Sequence, residues 1–248
     1  MSAKYIRHNN MPIQSPLIPD PFVPYNCPDN TMAYVICRGE EDKIRDLLEP
    51  TYFNYMSDIY MVAITDFSKT DKVSFMDAAI IVPVKYKDIF GGYYLFEYEN
   101  NDRAIAAGRD LWGYPKKFAH ISLIEEDDCL VGQAIRNGVT SCKIRLFEKE
   151  KLKNELPNIK ITPNLNMHVL PRSDGPGIFM TRVIARDTSP DFELKKHVQC
   201  CAEIELIGTE EDPWDGLGLM EVVGGGIIYG DYHATEKNGW GKVLSVFY

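Results

Sequence analysis

The chain's most constraining feature is a series of short runs rich in β-branched and aromatic residues, each ended by Gly, Asn, Asp or Pro. Such runs are typical of antiparallel β proteins, because these side chains fit a pleated sheet and the ending residues accept tight turns. The predicted strands are 31–38, 58–67, 77–86, 91–99, 129–137, 140–148, 166–172, 177–186 and 197–208. The pattern predicts one β-dominated α+β domain that spans residues 1–248.

Three segments depart from the strand pattern. Residues 40–50 predict a short helix, because their apolar side chains share one helical face and a proline ends it. Residues 103–114 predict a short helical turn. Residues 11–28 hold six prolines, which excludes a helix or a central strand and predicts an extended arm. The apolar side chains of this arm indicate that it packs on the domain or on a neighbouring subunit.

Charge and hydropathy exclude several classes of partner. The chain has 27 Lys and Arg residues against 36 Asp and Glu residues, a formal charge of -9, so it has no basic surface for nucleic acid or anionic membranes. Its longest apolar run, residues 78–84, is far shorter than the ~20 residues that span a bilayer. The first ten residues lack the apolar region of a secretory signal. We therefore expect a cytoplasmic protein without a nucleic-acid or membrane partner.

Two adjacent lysines stand in GRDLWGYPKKFAH, residues 108–120. A solvated lysine has a pKa near 10.4, so only ~1 in 2,500 side chains is neutral at pH 7. Burial lowers a lysine pKa by up to ~3–5 units, and Trp112, Tyr114 and Phe118 offer apolar walls around Lys116. Side chains alternate along an extended stretch, so Lys117 is expected to point away. The hypothesis is a buried, nucleophilic Lys116 whose pKa is lowered mainly by burial; for two lysines alone, a solvated pair at a turn is the simpler interpretation.

More than the lysine pair matches a known pattern. The run RAIAAGRDLWGYPKK resembles the signature of the acetoacetate decarboxylase family, in which a glycine–arginine–acid–leucine segment leads to tyrosine–proline–lysine–lysine. DAAIIVPVKY upstream and NMHVLPRSDGPGI downstream are similar to the family's flanking segments. Residues 221–247 resemble its C-terminal strand–helix–strand region more loosely. The resemblance extends from about residue 25 to the end of the chain.

The resemblance implies a fold and an activity. The fold is an antiparallel β-cone or barrel surrounded by further sheet, with few short helices, and family members assemble into homo-oligomers. Lys116 is implied to be the Schiff-base lysine, with Lys117, Tyr114, Trp112 and Phe118 contacting a small keto-acid substrate. The implied reaction is decarboxylation of a β-keto acid through a lysine imine, a reaction that requires neither a metal nor an organic cofactor.

Asp77 and Glu97 are the two candidates for the acid–base residue. The family's catalytic glutamate aligns with Asp77, which is one methylene shorter and also suits a residue that enters a strand. Glu97 lies among aromatic residues, where burial would raise its pKa into a useful range. Alternatively, Glu97 and Glu99 both lie on a solvated strand face.

A second departure concerns substrate binding. Asn30 stands where the family has an arginine that assists binding, so a substrate carboxylate loses a charge-assisted partner there. Arg38 and Arg109 are the candidates to replace it, but Arg109 belongs to the family's own motif and is expected to have a structural pairing role. Two alternatives to the decarboxylase therefore stay open, namely a Schiff-base aldolase or dehydratase acting on a keto acid, and a non-catalytic β-barrel carrier of small ligands.

Other motifs predict no further site. The histidines lack the H-x-H or H-E-x-x-H spacing of metal sites, so no metal is expected. The glycines at 224–226 lack the order of a phosphate-binding loop and indicate a bulge or close backbone packing.

Overall fold

The computed structural model describes residues 9–248, and most elements in that range are strands. The strands are β1 (Tyr25–Arg38), β2 (Asn54–Tyr55), β3 (Ile59–Phe67), β4 (Phe75–Tyr86), β5 (Ile89–Glu99), β6 (Lys116–Phe118), β7 (His120–Glu126), β8 (Cys129–Arg136), β9 (Val139–Phe147), β10 (Asn164–Pro171), β11 (Ile178–Arg186), β12 (Glu193–Leu206), β13 (Glu221–Ala234) and β14 (Lys242–Phe247). The helices are α1 (Glu41–Leu48) and α2 (Asp102–Ala107), and a π-helical turn (Gly108–Trp112) continues α2. Within the described range, no helix has the length and apolar content to cross a membrane.

The strands form one large mixed sheet. Its order is β14-β11-β10-β5-β4-β3-β1-β13-β12-β9-β8-β7, with β2 added to β4 and β6 added to β5. Neighbours are antiparallel except for the β10–β5 and β5–β6 contacts, which are parallel. Across the described residues, β14 and β7 end the strand order and do not pair with each other, so the sheet is not closed. The β-dominated α+β class is confirmed, whereas the barrel is wrong because the sheet keeps two free edges.

The strand prediction is confirmed for all nine runs, each of which overlaps a strand of the structure. Two segments differ from expectation. Strand β7 was not predicted, because the acidic run at its end favours a turn. The C-terminal region is strand–turn–strand, since β13 leads into β14 through a turn, and the helix implied by the resemblance is absent there. The glycines within β13 pack closely as expected: a Cβ on Gly225 would lie 2.7 Å from the Tyr34 carbonyl oxygen.

The N-terminal arm packs on the sheet as a separate apolar cluster. Ile18, Phe22 and Val23 are buried against Trp112 and Tyr114, so the prediction that the arm covers the domain surface is confirmed. Each buried side chain of this size stabilises the fold by roughly 1.5–3 kcal/mol. The arm's last four residues differ from expectation, because they already belong to β1. A register shift beside them accommodates the proline, as a bulge permits.

Candidate active site

Lys116 begins β6, a three-residue strand that runs parallel to β5 and pairs with it at Glu97. The Lys116 side chain is buried and only 8% of the residue is exposed. The next side chain turns the other way: Lys117 Nζ donates hydrogen bonds to Asp212 Oδ1 at 2.6 Å and to the Glu211 carbonyl oxygen at 2.7 Å. The two lysines therefore face opposite sides, as the alternation predicted.

The turn before β6 fixes the position of Lys116. Asn101 caps α2 through its side-chain oxygen, and the π-helical turn ends at Gly113, whose φ of 73° is left-handed. A Cβ on Gly113 would lie 2.6 Å from the His168 backbone nitrogen, so only glycine fits this crossing. Arg109 donates from Nη1 to the Lys116 carbonyl oxygen at 3.1 Å. The motif residues thus hold the backbone of the lysine in place.

Gly108 determines the path of the Lys116 side chain. A Cβ at this position would lie 2.3 Å from Lys116 Cε and 2.4 Å from Cδ, so any larger residue would displace the lysine stem. The lysine stem therefore passes directly over Gly108. This contact explains why a glycine opens the glycine–arginine–acid–leucine segment.

Three acidic side chains surround the Lys116 amine. Asp77 lies on β4 directly opposite Glu99 on β5, and Glu97 shares a face with Glu99 because the two are separated by one residue. Lys116 Nζ contacts Glu99 Oε1 and lies 3.2 Å from Glu97 Oε1. One carboxylate oxygen from each acid lies within 4.8 Å of the others. We call Asp77, Glu97 and Glu99 the acid cluster.

The solvated-face interpretation of the two glutamates is wrong, since Glu97 is 2% exposed and Glu99 is fully buried. The face of β5 that carries the two glutamates is buried by other parts of the protein. The alternation of acidic and aromatic residues along this strand therefore did not indicate a solvent-exposed face. Sequence reasoning did not propose Glu99 as a site residue. The available signal was its spacing, which places it beside Glu97 on the same face as the lysine.

Burial sets the protonation of the acid cluster. It raises the pKa of Asp77 to about 6 and the pKa of Glu99 to about 7, and it raises the pKa of Glu97 well above its ordinary value, although the positive charge of Lys116 opposes each shift. Burial also disfavours the charged amine, but the charges of Glu97, Glu99 and Asp77 outweigh burial and raise the pKa of Lys116. The predicted lowering of this pKa is wrong, because the sequence argument weighed the apolar walls without the acids.

The cluster can nevertheless supply a neutral amine. Glu97 Oε2 and Glu99 Oε2 have no hydrogen-bond partner among the described residues, which makes full ionisation of both glutamates unfavourable. A proton that moves from Lys116 to Glu99 neutralises both groups and stays within the site. Three carboxylates at this spacing also suit a divalent cation, but the Lys116 ammonium contacts two of them and supplies the positive charge. The absence of a metal stays a prediction.

The amine faces a cavity of about 320 Å³, a size suited to a small ligand. Aromatic side chains form part of its wall, among them Phe22, Tyr25, Phe75, Tyr94, Trp112 and Tyr114. The ring centres of Phe75 and Tyr114 lie 5.5 Å and 5.2 Å from Lys116 Nζ. The Tyr114 hydroxyl accepts a hydrogen bond from Asn164 Nδ2 at 2.7 Å, which fixes the ring beside the amine.

The structure brings some predicted substrate-binding residues together and not others. Asn30, Trp112 and Tyr114 line the cavity, and Asn30 Nδ2 donates to the Asp66 carbonyl oxygen at 2.8 Å. Lys117 lies outside it, held by Asp212, so its predicted position at the substrate is wrong. Phe118 is also misplaced: it is 47% exposed at the end of β6, and its ring packs against His120 instead.

The arginines proposed to replace the family's arginine do not reach the cavity. Arg38 forms surface ion pairs with Asp58 and Glu221, and Arg109 donates a hydrogen bond to the Lys116 carbonyl oxygen. Arg186, the last residue of β11, lines the cavity instead. Sequence reasoning missed it; the only signal was a charged residue ending a strongly apolar strand.

Comparison with known proteins agrees with this arrangement. The family model for acetoacetate decarboxylase matches residues 10–242. The acetoacetate decarboxylase of Paraburkholderia xenovorans (strain LB400) is 31% identical over 224 residues, covering 86% of this chain and 84% of the relative. A solved structure of acetoacetate decarboxylase superimposes with a TM-score of 0.85 at 20% identity, covering 100% of this chain and 99% of that one.

A second solved structure, at lower sequence identity, contains a bound ligand. The enduracididine biosynthesis enzyme MppR, solved with the condensation product of pyruvate and imidazole 4-carboxaldehyde, has a TM-score of 0.74 at 16% identity, with 98% of each chain covered. At this identity the likeness concerns the fold alone. The match of the family model and the identity to the Paraburkholderia protein, together with the lysine motif, establish that this chain belongs to the acetoacetate decarboxylase family.

Proposed function

We propose that the protein is a decarboxylase that forms a Schiff base between Lys116 and a small β-keto acid. The observation that carries the proposal is the buried Lys116 amine, which faces an aromatic cavity and contacts Glu99. Membership of the family supports decarboxylation as the reaction.

The first step is formation of the imine. Transfer of a proton from Lys116 to Glu99 gives the neutral amine, which attacks the keto carbon of the substrate. Glu97 lies 3.2 Å from Lys116 Nζ, and burial raises its pKa well above the ordinary value, which favours its protonated form. It is therefore placed to donate a proton to the carbinolamine oxygen, which leaves as water and yields a cationic imine.

The second step is loss of carbon dioxide. The electron pair of the bond between the α-carbon and the carboxylate moves toward the imine nitrogen, carbon dioxide leaves, and an enamine forms. The enamine takes up a proton at carbon, and water hydrolyses the resulting imine to the ketone and Lys116. Each turnover consumes one proton. The negative charge of the acid cluster repels the substrate carboxylate, an interaction that weakens as this group becomes neutral carbon dioxide.

Borohydride trapping tests the imine. Incubation with acetoacetate and borohydride should add the mass of the reduced adduct to Lys116, and acetoacetate alone should release carbon dioxide. Lys116→Ala should lose both signals. Lys117→Ala is the matched control, since its side chain is directed away from the cavity, and it should retain both. An adduct that persists in Lys116→Ala would refute the assignment.

A second candidate is a Schiff-base aldolase or dehydratase that keeps the substrate carboxylate. Two observations favour considering it: Asn30 replaces the family's arginine, and MppR has been solved with a condensation product. A panel of keto acids, each assayed for carbon dioxide release and for products with a new carbon–carbon bond, separates the two reactions. Binding without turnover of any member would favour the ligand carrier.

A further inference from the structure

Arg186 is a buried cation in the wall of the same cavity. Only 6% of the residue is exposed, and it lies at the end of β11 opposite Asn164 of β10. Buried guanidinium groups are ordinarily paired with a carboxylate, because an unpaired charge in a protein interior is destabilising.

The protein partners of Arg186 are all neutral. Nε donates to the Gly239 carbonyl oxygen at 2.8 Å, and Nη2 donates to the hydroxyls of Tyr25 at 3.0 Å and Tyr232 at 3.4 Å. The Trp112 ring lies 4.0 Å from Cζ. Among residues 9–248, no carboxylate oxygen lies within 4.0 Å of the guanidinium, and the Tyr114 hydroxyl adds a further neutral contact. The group is oriented by its contacts but its charge is not neutralised.

The surroundings place Arg186 apart from the acid cluster along one wall. Trp112 packs against the guanidinium, and Tyr114, two residues further along the chain, packs 5.2 Å from Lys116 Nζ. The centres of these two rings are 6.4 Å apart. The cavity thus holds the acid cluster around the amine and a cation at Arg186 beside Trp112, and Asp187 also belongs to its lining.

We infer that Arg186 binds a carboxylate that the substrate keeps throughout the reaction. This inference rests on the proposed imine at Lys116, since the keto carbon must lie at the amine while the anionic end reaches the guanidinium. A guanidinium that held the departing carboxylate would stabilise the ground state and slow its loss. The fitting substrates for the proposed decarboxylation are therefore β-keto acids with a second, retained carboxylate.

The test uses keto acids that this mechanism does not decarboxylate, each paired with its amide: pyruvate, 4-oxopentanoate and 5-oxohexanoate. The readout is the concentration that gives half-maximal borohydride trapping on Lys116. For at least one chain length, the acid should saturate trapping at a concentration about 10- to 100-fold lower than its amide, the range expected of a charge-assisted hydrogen bond. Arg186→Gln should bring the ratio near one, while the surface control Arg38→Gln should leave it unchanged. A ratio near one at every length in the unsubstituted protein, or a ratio that survives in Arg186→Gln, overturns the inference.

A second measurement needs no variant. Phenylglyoxal modification of Arg186, located by mass spectrometry, should be blocked by the preferred acid but not by its amide. Equal modification in both cases overturns the inference. Trapping of the amides separates this question from the proposed function: if no probe forms an adduct, the imine fails, whereas adducts without acid preference refute only the role of Arg186.

Discussion

Replacing Lys116 with methionine should destabilise the protein in a strongly pH-dependent way. The Lys116 ammonium compensates one carboxylate charge of the acid cluster, and methionine fills similar space without that charge. Folding of Lys116→Met must then bind about one proton more than folding of the wild type. In the wild type Glu99 itself takes up a proton below its pKa of about 7, so the extra proton of the variant lowers its relative stability only above that pH, by about 1.36 kcal/mol for each pH unit.

The magnitude follows from this proton. At pH 8 this pH-dependent loss is about 1.4 kcal/mol, whereas at pH 5 it is close to zero. Because the native variant binds the extra proton, its stability relative to the wild type rises as the pH falls. Any gain from the apolar methionine is a constant that does not change with pH. The difference between the two proteins should therefore shrink by about 1.4 kcal/mol between pH 8 and pH 5, nearly all of it above pH 6.5.

Urea unfolding at pH 5, 6.5 and 8, followed by tryptophan fluorescence, measures this difference. Lys117→Met is the matched control. Its partner Asp212 keeps the Arg136 contact at 3.0 Å, and hydrogen bonds from Lys117 and Arg136 overcome burial and lower the pKa of Asp212, so this loss should be nearly flat over the range. An equal loss of stability in Lys116→Met at pH 5 and pH 8 would refute the argument that the lysine charge holds the cluster ionised.

Three further results are expected. Gly108→Ala should lower kcat at least about 100-fold, because its methyl displaces the Lys116 stem, while the free energy of unfolding changes by less than about 1 kcal/mol since φ is a helical −61°; turnover and urea unfolding test this, and full activity would refute the steric argument. The value of kcat/KM should fall as the pH drops through about 7 to 6, because Glu99 and Asp77, with pKa values of about 7 and 6, then lose the charge that accepts the Lys116 proton; a pH–rate profile checks this, and Glu99→Gln should remove the upper part of the decline. Phe22→Ala should cost about 3–5 kcal/mol of stability, because its buried ring packs 5.1 Å from Tyr25 and 5.7 Å from Trp112; urea unfolding measures this, and a loss below about 1 kcal/mol would contradict the packing.

Local patterns in the sequence were sufficient for the strands and for the opposite directions of Lys116 and Lys117. Both depend on the alternation of side chains every two residues along extended backbone, and this alternation can be read from adjacent residues in the sequence. The surroundings of the lysine depend on contacts between distant segments. Asp77 meets Glu99 only through the register of β4 against β5, and no local pattern contains that register.

The same limit applies to the pKa of Lys116 and to Arg186. The sign of the lysine shift depends on how many carboxylates the sheet gathers around it, a number that the motif itself does not contain. Arg186 reaches the cavity wall because β11 ends beside Trp112, which lies more than 70 residues earlier in the chain. The open edges of the sheet likewise depend on pairing between distant strands. The cytoplasmic location and the homo-oligomeric assembly stay predictions.

Substitutions in the N-terminal arm can change substrate selectivity while the catalytic residues stay unchanged. Phe22 belongs to a segment outside the sheet, yet its ring forms part of the cavity wall. The amine and its acids lie on β4, β5 and β6, where a substitution or insertion disturbs strand pairing. A substitution in the arm before β1 disturbs no ladder, and it alters the width of the cavity together with the packing of the arm. Selectivity and chemistry are thus encoded in separable parts of the gene, and libraries confined to the arm offer a direct route to new substrates.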